Sequence, residues 1–197
     1  MLRLTPILAL LSTAALAVPT GITAPNFTLT DAAGKAVSLA DYKGKTVVLE
    51  WNNPGCPFVQ KHYKSGNMQK TQAAARAQGV AWLSINSGAP GQQGYMLGPQ
   101  AIAFVRDQKA SPSAYLLDPR GNVGHLYAAK ATPHMYVVNA AGKLVYQGAI
   151  DDKPSADTAD IAGANNLVLA ALADVKAGRP VAKPETRAYG CSVKYAA

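Results

Sequence analysis

Two cysteines, Cys56 and Cys191, are the residues of this 197-residue sequence best suited to covalent chemistry. Cys56 stands where the apolar run Thr46–Trp51 is broken by Asn52-Asn53-Pro54-Gly55 and a helical composition begins at Pro57. A sulfur at such a junction meets the free N–H groups and positive dipole end of a helix, which lower a thiol's pKa and raise its thiolate fraction. The thiolate is the nucleophile toward peroxides and disulfides alike. The rival is an inert core cysteine, since Cys is among the most buried residue types. Placement on a turn, outside any apolar run, favours the reactive reading.

Cys191 lies in the tail Val181–Ala197, which carries no strong periodicity. A two-step thiol cycle needs a second sulfur to capture a sulfenic acid or release a mixed disulfide. Cys191 is therefore the candidate resolving thiol. Two alternatives stay open: no pairing, or a permanent Cys56–Cys191 staple. Closing a loop of about 135 residues would contribute roughly 5 kcal/mol in the chain-entropy model. The absence of any C-x-x-C pair removes most zinc-site readings.

The histidines add little. His62 follows Cys56 by six positions, near the opposite face of a helix, and reads as a surface or packing residue. His134 is placed to approach Cys56 and tune its thiolate, and His125 has no evident partner. Gly44-Lys45-Thr46 is no P-loop, because Leu39 stands where the earlier glycine belongs. Asp151, Asp152, Asp157 and Asp160 miss the EF-hand spacing and read as a solvated acidic loop. Neither a cofactor nor a metal is expected.

The elements that must hold Cys56 can be read from the patterning. Residues 26–39 form a short hairpin, and Thr46–Trp51 and Val80–Ile85 are strands buried on both faces. A helix runs from Pro57, is split at Ser65-Gly66-Asn67 with Asn67 as N-cap, and stops at Gly79. Pro99 opens another helix. Tyr115–Leu117 is a strand, and Met135–Val138 and Leu144–Tyr146 flank the turn Ala140-Ala141-Gly142. Leu167–Val175 is a helix closed by Gly178 and Pro180. The order βαβ followed by ββα predicts one α/β domain: a central mixed β-sheet flanked by helices, with an N-terminal β-hairpin extension.

Met1-Leu2-Arg3, an apolar stretch from Leu4 to Leu16 and Ala15-Leu16-Ala17 make a secretory signal peptide over 1–17, ahead of a domain at 18–197. The stretch falls short of the ~20 residues that span a bilayer. An exported protein, periplasmic or extracellular, is expected, with no integral membrane insertion after cleavage. The formal charge of +8 is scattered, without a basic stripe interleaved with aromatics, so nucleic acid is not expected as a partner.

Three segments together resemble the thioredoxin-like superfamily in its redoxin branch, the alkyl hydroperoxide reductase/thiol-specific antioxidant type. They are Asn-Pro-Gly-Cys-Pro-Phe-Val-Gln-Lys-His-Tyr (53–63), Thr-Pro-His-Met-Tyr-Val-Val (132–138) and Gly-Cys-Ser-Val-Lys-Tyr (190–195). The resemblance implies a thioredoxin-like fold, thiol redox activity and a cis bond at Thr132-Pro133 beside Cys56. It departs from C-x-x-C oxidoreductases at Val59, and from the peroxiredoxin P-x-x-x-[ST]-x-x-C at Leu49 and Asn53. Asn53 would then donate to a bound peroxide oxygen in place of a hydroxyl. The expectation is a thiol-dependent oxidoreductase with Cys56 and Cys191 catalytic, supported by Asn53, Thr132, Pro133 and His134. Its partners are a small-molecule peroxide or a protein disulfide, and a thiol reductant. Peroxide reduction is favoured over thiol–disulfide exchange, and the rival class is a non-catalytic binding module with a structural disulfide.

Overall fold

A computed structural model describes residues 18–196; the leader expected over 1–17 lies outside them. The chain opens on the hairpin β1 (Thr28–Asp31) and β2 (Ala36–Ser38). It continues through β3 (Val47–Trp51), α1 (Pro57–Lys64), α2 (Asn67–Arg76) and β4 (Ala81–Asn86). Next come α3 (Gly98–Asp107), β5 (Ala114–Leu117) and α4 (Asn122–Leu126). The two-residue β6 (Ala131–Thr132) precedes β7 (His134–Val138) and β8 (Leu144–Gly148). Helix α5 (Leu167–Lys176) leads to the tail, whose β9 (Cys191–Ser192) is again two residues long.

One seven-stranded sheet runs in the order β2-β1-β5-β4-β3-β7-β8. β3, β4 and β5 are parallel, as helical crossovers require, and β7 lies antiparallel to β3. β6 and β9 form a separate antiparallel ribbon, with Thr132 opposite Cys191. The expected order of elements is present; the five-residue α4 after Gly121 is an addition that its sequence did not announce.

Strand alternation divides the core in two. Leu49, Trp51, Leu83 and Ile85 pack on one face with Tyr127 and Tyr136. Val48, Trp82, Met135 and Val137 pack on the other with Cys56, Val59, Met68 and the α5 residues Val168 and Leu172. The helix pair bends where expected, but Gly66, with φ of 75°, caps α2 and Asn67 is its first residue. Only a residue without Cβ enters that left-handed turn freely. The Asn67 amide meets His62 Nδ1 at 2.8 Å instead.

Candidate active site

Cys56 is the N-cap of α1, held between the end of β3 and Pro57 at the first helical position. Asn53 shapes the approach: its Oδ1 accepts from Gly55 N at 2.8 Å, and its Nδ2 donates to Gln93 Oε1 at 3.0 Å and Gln93 O at 3.2 Å. The amide is thus committed to bracing the loop. One residue earlier, buried Asn52 accepts from Tyr115 OH at 2.8 Å and donates to Glu50 Oε1 at 2.8 Å.

The Cys56 side chain is fully buried. Its thiol donates to the Thr132 carbonyl at 3.0 Å, across the cis Thr132-Pro133 bond that the resemblance implied. The ribbon pairing sets Cys191 opposite Thr132, whose carbonyl accepts from Cys56, so the two residues pack in one cluster and both thiols are free. Burial alone would raise the Cys56 pKa. Hydrogen bonds from the Cys191 thiol and the Thr132 hydroxyl, with the backbone N–H groups of Val59 and Cys191, outweigh it and hold the thiol below its ordinary value. For half-buried Cys191, burial and its contact with Cys56 push the pKa up to about 11. One sulfur is therefore thiolate-prone and enclosed, and the other is protonated and partly reachable. In Cys191→Ala the pKa of alkylation at Cys56 should rise, because the Cys191 thiol, the largest of the four stabilising contributions, is lost while the backbone N–H at 191 remains; an unchanged alkylation profile across pH would refute that cause.

His134 does not share this space. β7 alternates, so Met135 lies on the Cys56 face and His134 on the other. There His134 Nδ1 sits 3.1 Å from Tyr136 OH and 3.3 Å from Lys130 N, and the ring packs on Tyr136. His125, without a partner in the sequence, stacks on Tyr195 at 4.0 Å. The acidic run is likewise not all solvated: Asp151 is buried 3.6 Å from Lys61 Nζ, which is buried too. Its partners lie on α1 and in the tail, remote in the chain, so the run's polarity alone misplaces it. No cluster of potential metal ligands occurs among the described residues.

His62 and His134 impose a pH limit on the fold. Burial lowers His62 to about 4 against the partial compensation of Asp151, and burial with Lys130 lowers His134 to about 3. Both stay neutral in the folded protein while the unfolded chain protonates near 6.5. The unfolded state thus binds more protons below that pH, and stability falls as pH drops from about 6.5 toward 4. The slope should reach about 1.4 kcal/mol per pH unit for each histidine. Urea unfolding across this range checks it, and His134→Gln should flatten the slope.

The chain matches the AhpC/TSA family over residues 20–147. It is 28% identical over 127 residues to the thiol-disulfide oxidoreductase ResA of Bacillus subtilis, covering 64% of each chain. It is 28% identical over 138 residues to the chloroplastic peroxiredoxin Q of Triticum aestivum, covering 61% of this chain and 64% of that one. The chain thus spans under two thirds of the length of these curated relatives. A crystal structure of an uncharacterized conserved protein from Geobacillus kaustophilus superposes with a TM-score of 0.76 at 28% identity, covering 90% of this chain and 93% of that one. The family match ends before the tail that carries Cys191.

Proposed function

We propose, on the premise that this chain belongs to the AhpC/TSA family and has a thioredoxin-like fold, that it is a thiol-dependent oxidoreductase reducing hydroperoxides through Cys56, with Cys191 as resolving thiol. The observation that carries this reading is the placement of Cys191 opposite Thr132, the residue whose carbonyl accepts from the Cys56 thiol at 3.0 Å, with a lowered pKa on Cys56 and a raised one on Cys191. In the first step the Cys56 thiolate attacks a peroxide oxygen, the O–O bond breaks, and the leaving alkoxide takes up a proton. Cys56 is then a sulfenic acid. Cys191 attacks that sulfur, water leaves, and a Cys56–Cys191 disulfide remains. An external dithiol takes the oxidation over and returns both thiols.

Accessibility favours peroxide over a protein disulfide. The sulfur that a bulky disulfide would meet first is Cys191, whose thiol is held protonated and is a poor nucleophile. The better nucleophile lies beneath β9, where a small oxidant needs only a brief opening. The ribbon's own bonds are long, with Val193 N 3.4 Å from Lys130 O and Thr132 Oγ1 3.4 Å from Cys191 O. The firmer ties lie beyond it, from Ala89 N to Lys194 O and from Tyr195 OH to Ala129 O, both at 2.8 Å.

Titration of the reduced protein with hydrogen peroxide tests the reading. Each equivalent should remove both thiols and leave an intramolecular disulfide, found by mass spectrometry of a non-reduced digest. Thiols that survive peroxide but react with oxidised protein substrates would reverse the preference for peroxide. Action outside the cytoplasm is part of the proposal, on the strength of the leader at residues 1–17. Recovery of the protein in the cytoplasm with Met1 retained would remove it. Among the described residues no helix is long and apolar enough to cross a membrane.

A further inference from the structure

Resolution by Cys191 requires that a tail with little secondary structure deliver one sulfur onto another. The ribbon itself is short and loosely bonded, and the ties of Lys194 to Ala89 N and of Tyr195 to Ala129 O, both at 2.8 Å, hold the chain only on the C-terminal side of Cys191. Two residues before Cys191, however, Tyr189 lies against one face of α1. Its ring meets Phe58 edge-on at 5.9 Å, Lys61 Nζ stands 5.6 Å from its centroid, and His62 Nε2 lies 3.3 Å from its hydroxyl. Positions 58, 61 and 62 are spaced as i, i+3 and i+4, so they form a single surface on the helix. The Tyr189 hydroxyl donates to Asp151 Oδ1. Asp151 is fixed in turn by Lys61 Nζ at 3.6 Å and by Lys153 N at 3.0 Å, and Lys61 Nζ donates to Lys153 O at 2.7 Å. Burial, followed by the Asp151 carboxylate, pushes the Tyr189 hydroxyl far above its ordinary pKa, so it remains a donor.

Between Tyr189 and Cys191 the chain passes close over the cis-proline loop. Gly190 has φ of 138°, and a Cβ there would stand 2.0 Å from the Thr132 carbonyl oxygen. Only glycine permits that passage. Cys56 is fixed to α1 as its N-cap, and Tyr189 ties the tail to the same helix.

We propose that Tyr189 is a positioning residue that sets Cys191 against Cys56, and that the buried pair of Lys61, on α1, and Asp151, just after β8, is its anchor. The hydroxyl fixes the tail's height along the helix, and the ring fixes its distance. This rests on the reading that Cys56 and Cys191 form a disulfide in the working cycle.

The test is the equilibrium of that disulfide with oxidised and reduced dithiothreitol in the full chain. Two protein thiols are oxidised as one dithiothreitol disulfide is reduced, so no peroxide chemistry enters. Wild type, Tyr189→Phe and Tyr189→Ala are compared after urea unfolding confirms that each is folded. Looser placement lowers the effective concentration of one thiol at the other and makes the disulfide easier to reduce. Tyr189→Phe, keeping the ring, should weaken the disulfide about tenfold, or about 30 mV, and Tyr189→Ala should weaken it further. A residue that merely stabilised the fold would shift the urea midpoint and leave the potential in place. Potentials for both variants within 5 mV of wild type, about 1.5-fold, would overturn the proposal. A wild type that forms no Cys56–Cys191 disulfide in oxidised dithiothreitol would instead sink the resolving reading beneath it.

Discussion

Glu50→Ala should lower the unfolding free energy by about 4 kcal/mol, the largest expected loss for any single side chain outside the sulfur pair. Glu50 is fully buried on β3, within a strand that is otherwise apolar. Its Oε1 accepts from Asn52 Nδ2 at 2.8 Å and Tyr63 OH at 2.8 Å. Its Oε2 accepts from Trp82 Nε1 at 2.8 Å, Ser84 Oγ at 2.8 Å and Gln72 Nε2 at 3.4 Å. Truncation to alanine leaves the Tyr63, Trp82 and Ser84 donors without this acceptor in a space too enclosed for easy hydration, and opens a cavity besides. Asn52 and Gln72 keep only the Tyr63 oxygen, at 3.2 and 3.5 Å. Burial is the largest cause of the raised Tyr63 pKa and persists in the variant, so that hydroxyl cannot adapt by losing its proton. For a domain of this size the melting temperature should fall by roughly 10 °C. The effect reaches the site, because Asn52 opens the loop that ends at Cys56. Alkylation of Cys56 should therefore lose its single, well-defined pKa in the variant. A loss below about 1 kcal/mol in urea would show that the five donors find other partners.

Glu50 also marks where reading the sequence ends. Within Thr46–Trp51 it is one charge in an apolar run. Its donors come from a loop, two helices and a neighbouring strand, so no local window contains the reason for its burial. Asp151 is a similar case: in an acidic run it reads as solvated, and only the packing of α1 and the tail around it supplies Lys61 and Tyr189. The junction at Cys56, by contrast, was legible because strand, breaker and helix are contiguous, and so were the β7–β8 hairpin and α5. His134 was misplaced despite an available signal. Two-residue alternation from Met135 and Val137, which pack with Cys56, puts His134 on the opposite face. Pairing of Cys191 with Thr132 had no local signal, since β6 and β9 are too short to show any alternation.

Cys56→Ser should abolish peroxide turnover, by at least about a thousandfold, because no other group in the described chain combines a lowered thiol pKa with this enclosure. The more informative variant is Cys191→Ser. Its first step keeps the attacking sulfur and loses only part of the hydrogen bonding that stabilises the thiolate. Oxidation of Cys56 at a pH where it is fully ionised should stay within a few-fold of wild type, since a shifted pKa no longer changes the thiolate fraction there. The second step has no thiol to complete it. Sulfenic acid should accumulate, react with dimedone in stoichiometric amount, and proceed to sulfinic acid under excess peroxide. Turnover with a dithiol reductant should fall by about tenfold or more, limited by direct attack on a sulfur that the tail still covers. Wild-type protein given one equivalent of peroxide should trap almost no dimedone, because the neighbouring thiol reacts first. Equal turnover and equal dimedone labelling in the two proteins would reduce Cys191 to a cover over Cys56, and the cycle would then belong to Cys56 and its external reductant alone.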